Sequence, residues 1–468
     1  MEVADELVVQ KPKVVIIGGP TAVGKSKLSL VLKSKHDGVL VNADATKLYK
    51  GLDGGANKWA VRGEGVRLWD LVDATLPGAE FSAGQYHDAA CRELDHIIHV
   101  ENKMPIVVGG SGLYIRWLMR GKQAGPQRDV SLSLSIQSEI QSLPWSEVIS
   151  SIRHFDPLYA EKIVENDYRR AARAIELHRR TGSSVENLQR QRKGALLYDG
   201  SSSQSSSSSF SFSSNSDTPS PSLEHIEQQG DIIRTSTQQQ QPQTTHSSFQ
   251  DGIDFRPYIL ALPRVQLYDK ICRRCENMIL DGLFMEVWGL MRRGLSAQST
   301  PGKAIGYRQT IDFLNSRQFT EESFMDFLHD FQSKTRQLAH RQLSWFRKEP
   351  DFLNIDLNDS TEQVITSHLS LSQKDWIELV KSQSTPLPAE IQADLTPLRQ
   401  YQAPTGLLIL PRVPRRLKDA NYLRLVEERQ ALINRQLAIL EQILFEMQRS
   451  GFQPNTHSSC EQVDDGHL

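Results

Sequence analysis

Val14-Val15-Ile16-Ile17-Gly18-Gly19-Pro20-Thr21-Ala22-Val23-Gly24-Lys25-Ser26 decides the fold. Four consecutive apolar residues, two of them β-branched isoleucines, read as a strand buried on both faces of a parallel sheet. Gly19 to Ser26 then fits GxxxxGK[ST], and Leu28, Leu30, Val31 and Leu32 continue as a helix. Strand, glycine loop and helix in that order make a phosphate cradle. Backbone N–H groups of Gly19, Pro20's successor Thr21, Ala22, Val23 and Gly24 curl toward an anion, and the helix N-terminus adds partial positive charge. Lys25 supplies a full charge for the far phosphate, and the Ser26 hydroxyl is placed to sit on Mg²⁺. The loop specifies a di- or triphosphate without choosing kinase, ATPase or transferase.

Three further apolar runs repeat the strand signal: Gly38–Val41, Met104–Val108 and Tyr258–Leu262, with amphipathic helical stretches between them. Strands alternating with helices predict an α/β fold with a P-loop NTPase-like parallel sheet, carrying a helical insertion and a helical C-terminal region. The expected organisation is an N-terminal extension over 1–12 and a first part of the core over 13–122. A helical insertion over 123–198 and a disordered Ser/Gln-rich loop over 199–252 follow. The core is completed over 253–350, and a C-terminal extension over 351–468 carries a long amphipathic helix. Serine dominates 201–216 and glutamine 238–241, too polar to offset the cost of ordering.

The chain has 468 residues and a net charge near −2, so any basic surface is local. Its four cysteines do not form a disulfide framework. Cys272 and Cys275 have CxxC spacing but no second pair, and read as core residues. No apolar stretch reaches 18 residues, so no membrane span is expected. The acid-bearing, arginine-free first ten residues predict a cytoplasmic protein, unless an import signal precedes them. Leu417, Leu423, Val426, Ile433, Leu437, Leu440 and Leu444 mark the tail as a packing or partner helix.

Asn42-Ala43-Asp44 ends the second strand, on the sheet edge where ligands of open α/β folds bind. A carboxylate there holds Mg²⁺, takes a proton from a nucleophile, or caps a helix. Gly109-Gly110-Ser111-Gly112 follows the third strand and offers the Ser111 hydroxyl to a substrate. Between Arg169 and Lys193 lie eight basic residues and two acids, a face suited to a phosphate backbone. Thr335 to Lys348 interleaves Arg336, Arg341 and Arg347 with Trp345 and Phe346, which either stack bases or pack in the core.

In this order the motifs resemble the tRNA dimethylallyltransferase (tRNA isopentenyltransferase) family. The P-loop resembles GPTASGK[ST], Tyr49-Lys50-Gly51-Leu52-Asp53 with Lys58 its YRGLDIGTAK run, and Pro105–Tyr114 its PIVVGGTGLY. Asp156-Pro157, Asn166-Asp167, Arg169–Gly182, Ala304–Tyr307 and Thr335–Arg347 match later blocks. The resemblance implies transfer of a prenyl group from dimethylallyl diphosphate to the exocyclic amine of an adenosine beside the anticodon. Mg²⁺ is the implied cofactor, and the chain is expected to act as a monomer. It further implies Asp44 as general base and Thr21 and Arg116 as diphosphate contacts. Expected tRNA contacts are Ala45, Thr46, Lys47, Ser111, Arg169, Arg170, Arg173, Arg336, Arg341 and Gln342. Two alternatives are an adenylate dimethylallyltransferase making cytokinin nucleotides and a non-catalytic tRNA-binding relative. The sequence departs from the family pattern at Asp44-Ala45-Thr46-Lys47, where Asp-Ser-x-Gln is usual. Trp69-Asp70 replaces a pair of histidines, and Ser111 a threonine.

Overall fold

A computed structural model describes residues 10–58, 63–122, 126, 129–188, 247–358, 360–383 and 420–453. The chain divides into two units, one formed by residues 1–122 with 247–468, the other by 123–246.

The first unit is built on a parallel sheet. Its N-terminal elements are β1 (Lys13–Gly18), α1 (Lys25–Lys35), β2 (Gly38–Asn42), β3 (Tyr49–Lys50), β4 (Val72–Asp73), α2 (Ala83–His99), β5 (Met104–Val108) and α3 (Gly112–Arg120). The second unit holds α4 (Val130–Gln141), α5 (Trp145–Phe155), α6 (Pro157–Ala160) and α7 (Tyr168–Thr181). The first unit resumes with α8 (Ser247–Asp251), β6 (Asp254–Ala261), α9 (Arg264–Leu280), α10 (Leu283–Arg292), α11 (Tyr307–Ser316) and α12 (Glu321–Phe346). It ends with β7 (Leu353–Asp356), α13 (Thr361–Leu369), α14 (Gln373–Gln383) and α15 (Ala420–Ser450).

The main sheet has the order β2-β5-β1-β6-β7, with every neighbouring pair parallel. Val14 to Ile17 are fully buried at its centre, as a strand covered by helices on both faces must be. The carboxyl ends of β1, β2 and β5 therefore lie side by side. They carry the P-loop, the Asp44 turn and the GGSG loop.

Three sequence expectations are revised. The fourth strand begins at Asp254 rather than Tyr258, because Asp254 and Arg256 are buried as a pair within it. A fifth strand, β7, joins the sheet from the segment read as a C-terminal extension, so the sheet does not close at residue 350. Leu353-Asn354-Ile355-Asp356 is short and half polar, as suits an edge strand, and leaves no apolar run to recognise. The end of the expected 199–252 loop is helical: α8 sets Phe249 against the α2 side of the sheet, and Gln250 Nε2 donates to the Leu118 carbonyl at 3.3 Å. Residues 199–246 lie outside the described residues.

The buried ion pair permits a stability prediction. Arg256 Nε donates to Asp254 Oδ1 at 2.9 Å, its guanidinium caps the carbonyls of His368 and Leu371, and it stacks 5.0 Å from Trp376. Removing one partner of a buried pair costs about 3–5 kcal/mol, because the other charge stays in a medium of low polarity. Asp254→Ala is expected to lower the urea midpoint of the first unit accordingly. An unchanged midpoint would mean that water reaches Arg256.

α15 packs on its own chain. Ile433, Leu440, Ile443 and Met447 are buried in the main core, and Trp288 of α10 donates to Glu446 at 2.8 Å. Leu417 lies outside the described residues. Cys272 and Cys275 are also core residues, and burial pushes the Cys275 thiol up to about 12. No helix among the described residues is long and apolar enough to cross a membrane.

The elements of the second unit are all helices among its described residues. Ile136, Ile140, Val148, Ile152, Ala171 and Ile175 form its core. α7 places alanines, Ile175 and Leu177 inward and leaves Arg169, Arg170, Arg179 and Arg180 exposed.

Candidate active site

The P-loop leaves β1 with Ala22 at φ 63° and Gly24 at φ 117°. Gly24 is the N-cap of α1 and has no side chain to occupy the first-turn N–H groups, so these face the loop. Lys25 Nζ donates across the loop to the carbonyls of Gly19 at 2.9 Å and Pro20 at 2.7 Å. Its withdrawal from water pushes its pKa down to about 7; Asp44 opposes the shift, and Arg274 and Lys47 reinforce it.

Asp44 caps a short 3₁₀ turn, Ala45–Leu48, by accepting from the Thr46 N–H at 3.0 Å. The structure shows the cap reading, with one carboxylate oxygen engaged by the backbone. The turn is held from behind. Asn42 Oδ1 accepts from the Asp44 N–H at 3.0 Å, and Asn42 Nδ2 donates to the carbonyls of Asp44 and Leu68. Ser111 Oγ accepts from the Ala45 N–H at 2.9 Å, so this hydroxyl first orders the Asp44 turn. Gly109 makes the contact possible: a Cβ there would lie 2.0 Å from the Ala43 carbonyl oxygen.

Gln342, read from sequence as an RNA contact, bridges two loops of the site. Its Oε1 accepts from the Thr21 N–H at 2.9 Å, and its Nε2 donates to the Gly110 carbonyl at 3.1 Å. One amide thus ties the P-loop to the GGSG loop from α12. Both ends of it are used within the protein.

Arg116, expected at the diphosphate, is engaged within the protein. It forms an ion pair with Glu349, with Nε donating to Oε1 at 3.0 Å, and stacks 4.6 Å from the Trp345 ring. Glu349 is buried and shared with Arg120. Trp345 is half-buried under Arg116, whereas Phe346 belongs to the core. The guanidinium whose charge reaches Asp44, Lys25 and Lys47 is Arg274 on α9, and burial holds its pKa below the usual arginine range. Sequence reasoning missed it because it stands inside the CxxC pattern that drew attention to the thiols. Spacing carried the signal: Ile271, Arg274, Cys275 and Met278 share one helix face, and an arginine on an otherwise buried face calls for a reason.

Outside this centre, Arg336 and Arg341 line a groove of about 460 Å³ with Arg264, Tyr268 and His340. Withdrawal from water and the arginines 264, 347 and 341 hold His340 below its usual range. Such a groove favours phosphate oxygens. In the second unit Arg169 and Arg170 are exposed, as RNA contacts must be. Arg173 is turned inward: it donates to Glu176 at 2.7 Å and to the Pro126 carbonyl at 2.7 Å, and Glu176 is fully buried. These bonds tie Arg173 to its own helix and to the segment before α4. Arg190, Arg192 and Lys193 lie outside the described residues.

The Lys25 shift predicts a pH dependence. The free ammonium loses its proton near pH 7, while a bound diphosphate stabilises the charged form and raises that pKa. Diphosphate affinity is therefore full below about pH 7 and falls as pH rises above it, by up to about tenfold per unit. Calorimetric titration with dimethylallyl diphosphate between pH 6.5 and 9, corrected for the ligand's last ionisation, checks this. A flat profile would place the ammonium in water.

A parallel sheet with a P-loop, a carboxylate on the strand end one place removed and cations around both defines a phosphate-binding enzyme of the doubly wound α/β class. The IPP transferase family model matches residues 47–208 and 220–349, beginning just after the P-loop and Asp44. A tRNA dimethylallyltransferase of Protochlamydia amoebophila is 30% identical over 354 residues, covering 75% of this chain and 86% of that protein. tRNA dimethylallyltransferase 9 of Arabidopsis thaliana is 30% identical over 367 residues, covering 73% and 70%. A solved eukaryotic dimethylallyltransferase, described as acting on tRNA, shares the fold with a TM-score of 0.51 at 19% identity, over 81% of this chain and 87% of that one. The chain belongs to the IPP transferase family.

Proposed function

We infer that this protein transfers a dimethylallyl group from dimethylallyl diphosphate to the exocyclic amine of the adenosine beside the tRNA anticodon, releasing diphosphate. The observation that carries the reading is an anion cradle and a carboxylate at the same edge of the sheet, on strands that flank β5 and are tied through its GGSG loop by Gln342 and Ser111. Lys25 leaves the Gly19 and Pro20 carbonyls for the diphosphate. As the C–O bond to diphosphate breaks and the N–C bond forms, Lys25 and Arg274 take up the leaving group's growing charge. Asp44 accepts the proton that the amine loses. Ser26, half-buried at the first turn of α1, offers a hard oxygen of the kind Mg²⁺ prefers. When bound, Mg²⁺ would neutralise phosphate oxygens there. The exposed Arg169 and Arg170 and the groove of Arg336 and Arg341 would hold the RNA backbone. A monomer acting in the cytoplasm completes the reading, and turnover of the modified tRNA would release cytokinin-type nucleosides.

Digestion of unmodified tRNA after incubation with protein, Mg²⁺ and dimethylallyl diphosphate tests the site of transfer. Mass spectrometry is expected to find the added group on one adenosine flanking the anticodon; modification elsewhere contradicts the reading. Replacing Arg169 and Arg170 by alanine is expected to reduce the salt dependence of tRNA binding, by roughly 0.7 in the log–log slope per lost contact. A wild-type slope would leave these arginines as a solvated face.

A further inference from the structure

The C-terminal end of α12 meets both loops of the site. Gln342, Trp345 and Phe346 are spaced i, i+3 and i+4, so they share one face of the helix. Each is received by a glycine. A Cβ at Gly110 would lie 2.4 Å from Gln342 Nε2, one at Gly112 2.2 Å from the Trp345 ring, and one at Gly18 2.9 Å from the Phe346 ring. Gly18 leads into the P-loop, and Gly110 and Gly112 belong to the GGSG loop. The helix face therefore sits flush on both loops. Phe352 packs edge-on against Phe346 and Arg116 stacks on Trp345, so the seat is also held from outside.

A hydrogen-bonded path leads from Gln342 to the turn of Asp44. Gln342 accepts from the Thr21 N–H of the P-loop and donates to the Gly110 carbonyl. The next residue, Ser111, donates its N–H to the Ala43 carbonyl at 3.1 Å, and its hydroxyl accepts from the Ala45 N–H at 2.9 Å. Those two contacts lie on either side of Asp44. An amide offers an acceptor and a donor at once without bringing charge beside a diphosphate.

We propose that Gln342 is a positioning residue for the transfer step: it sets the distance between the diphosphate leaving from the P-loop and the carboxylate of Asp44, and acts on the rate through Asp44. The proposal rests on the reading of this protein as a prenyl-transferring enzyme. In that step the N–C bond forms as the C–O bond to diphosphate breaks, and the proton lost by the amine passes to Asp44. Leaving group, carbon and proton acceptor must be in register at one moment, and a misplacement of about 1 Å costs roughly 10²-fold.

The test measures kcat, KM for dimethylallyl diphosphate and tRNA affinity in the full chain, for the wild type, Gln342→Met, Asp44→Asn and the double variant. Gln342→Met is uncharged and similar in length. It is expected to lower kcat by about 10²-fold, with KM and tRNA affinity near the wild-type values. In the Asp44→Asn background the same substitution is expected to cost little, because the group it positions is already gone. An equal loss in both backgrounds overturns the proposal and makes Gln342 a support of the P-loop alone. A raised KM at unchanged kcat also overturns it. If Gln342→Met does not fold, Gln342→Glu takes its place, since it keeps the acceptor for Thr21 but offers Gly110 no donor. The same dependence on Asp44 is expected of it. Hydrogen exchange gives a readout independent of transfer: the backbone amides of 19–24 and 109–112 are both expected to exchange faster in the Gln342 variant, and unchanged exchange in either loop contradicts the proposal. If the wild type transfers to no RNA, the proposed function fails, and exchange alone decides whether Gln342 holds the two loops in register.

Discussion

Asp44→Asn is expected to lower the rate of transfer by about 10²–10⁴-fold while leaving tRNA binding near the wild-type value, because general-base assistance is worth that much when the base is positioned. Asparagine keeps a side-chain oxygen for the Thr46 N–H, so the 3₁₀ turn is preserved and only the proton acceptor is lost. Asp44→Ala removes both, and its additional loss measures what the cap contributes to geometry. Single-turnover rates with saturating tRNA separate the two. A variant that turns over at the wild-type rate would show that the amine loses its proton to water after attack.

The second large effect is expected at Arg274. Leaving-group charge grows as the allylic C–O bond breaks, and removing one donor preorganised for such charge typically costs about 10²–10³ in kcat. Arg274→Ala should fall in that range with little change in tRNA affinity. Arg116→Ala should act differently. It frees Trp345 and leaves Glu349 to Arg120 alone, so it loosens the α3–α12 contact and lowers stability before chemistry. If Arg116→Ala instead reproduces the Arg274 loss at unchanged stability, the sequence-based assignment of the diphosphate contact is restored.

These two residues show where the sequence was legible. Residues 13–26 declare strand, loop and helix within one short window, so the P-loop and the sheet class follow from local patterns alone. Asp44 is legible for a similar reason, since it ends a buried strand. Arg274 announces itself only through helix periodicity, once its neighbours are known to be buried. Gln342 leaves no local trace, because its partners Thr21 and Gly110 are more than 230 residues away in sequence. β7 and the start of β6 show no apolar run, because polar or charged residues interrupt it; in β6 the ion pair of Asp254 with Arg256, two residues on, and the carbonyls of His368 and Leu371 make the burial acceptable. Arg173 shows the converse, a basic residue in a basic run whose partner, Glu176, turns it inward.

The central claim is tested most directly by offering the purified protein labelled dimethylallyl diphosphate and Mg²⁺ together with unmodified tRNA and adenosine monophosphate in the same reaction. The account predicts label in the tRNA and none in the nucleotide. Label in the nucleotide would contradict it and make the protein a source of free cytokinin, and label in neither would show that the Ala45, Lys47 and Trp69 surroundings of Asp44 no longer support transfer.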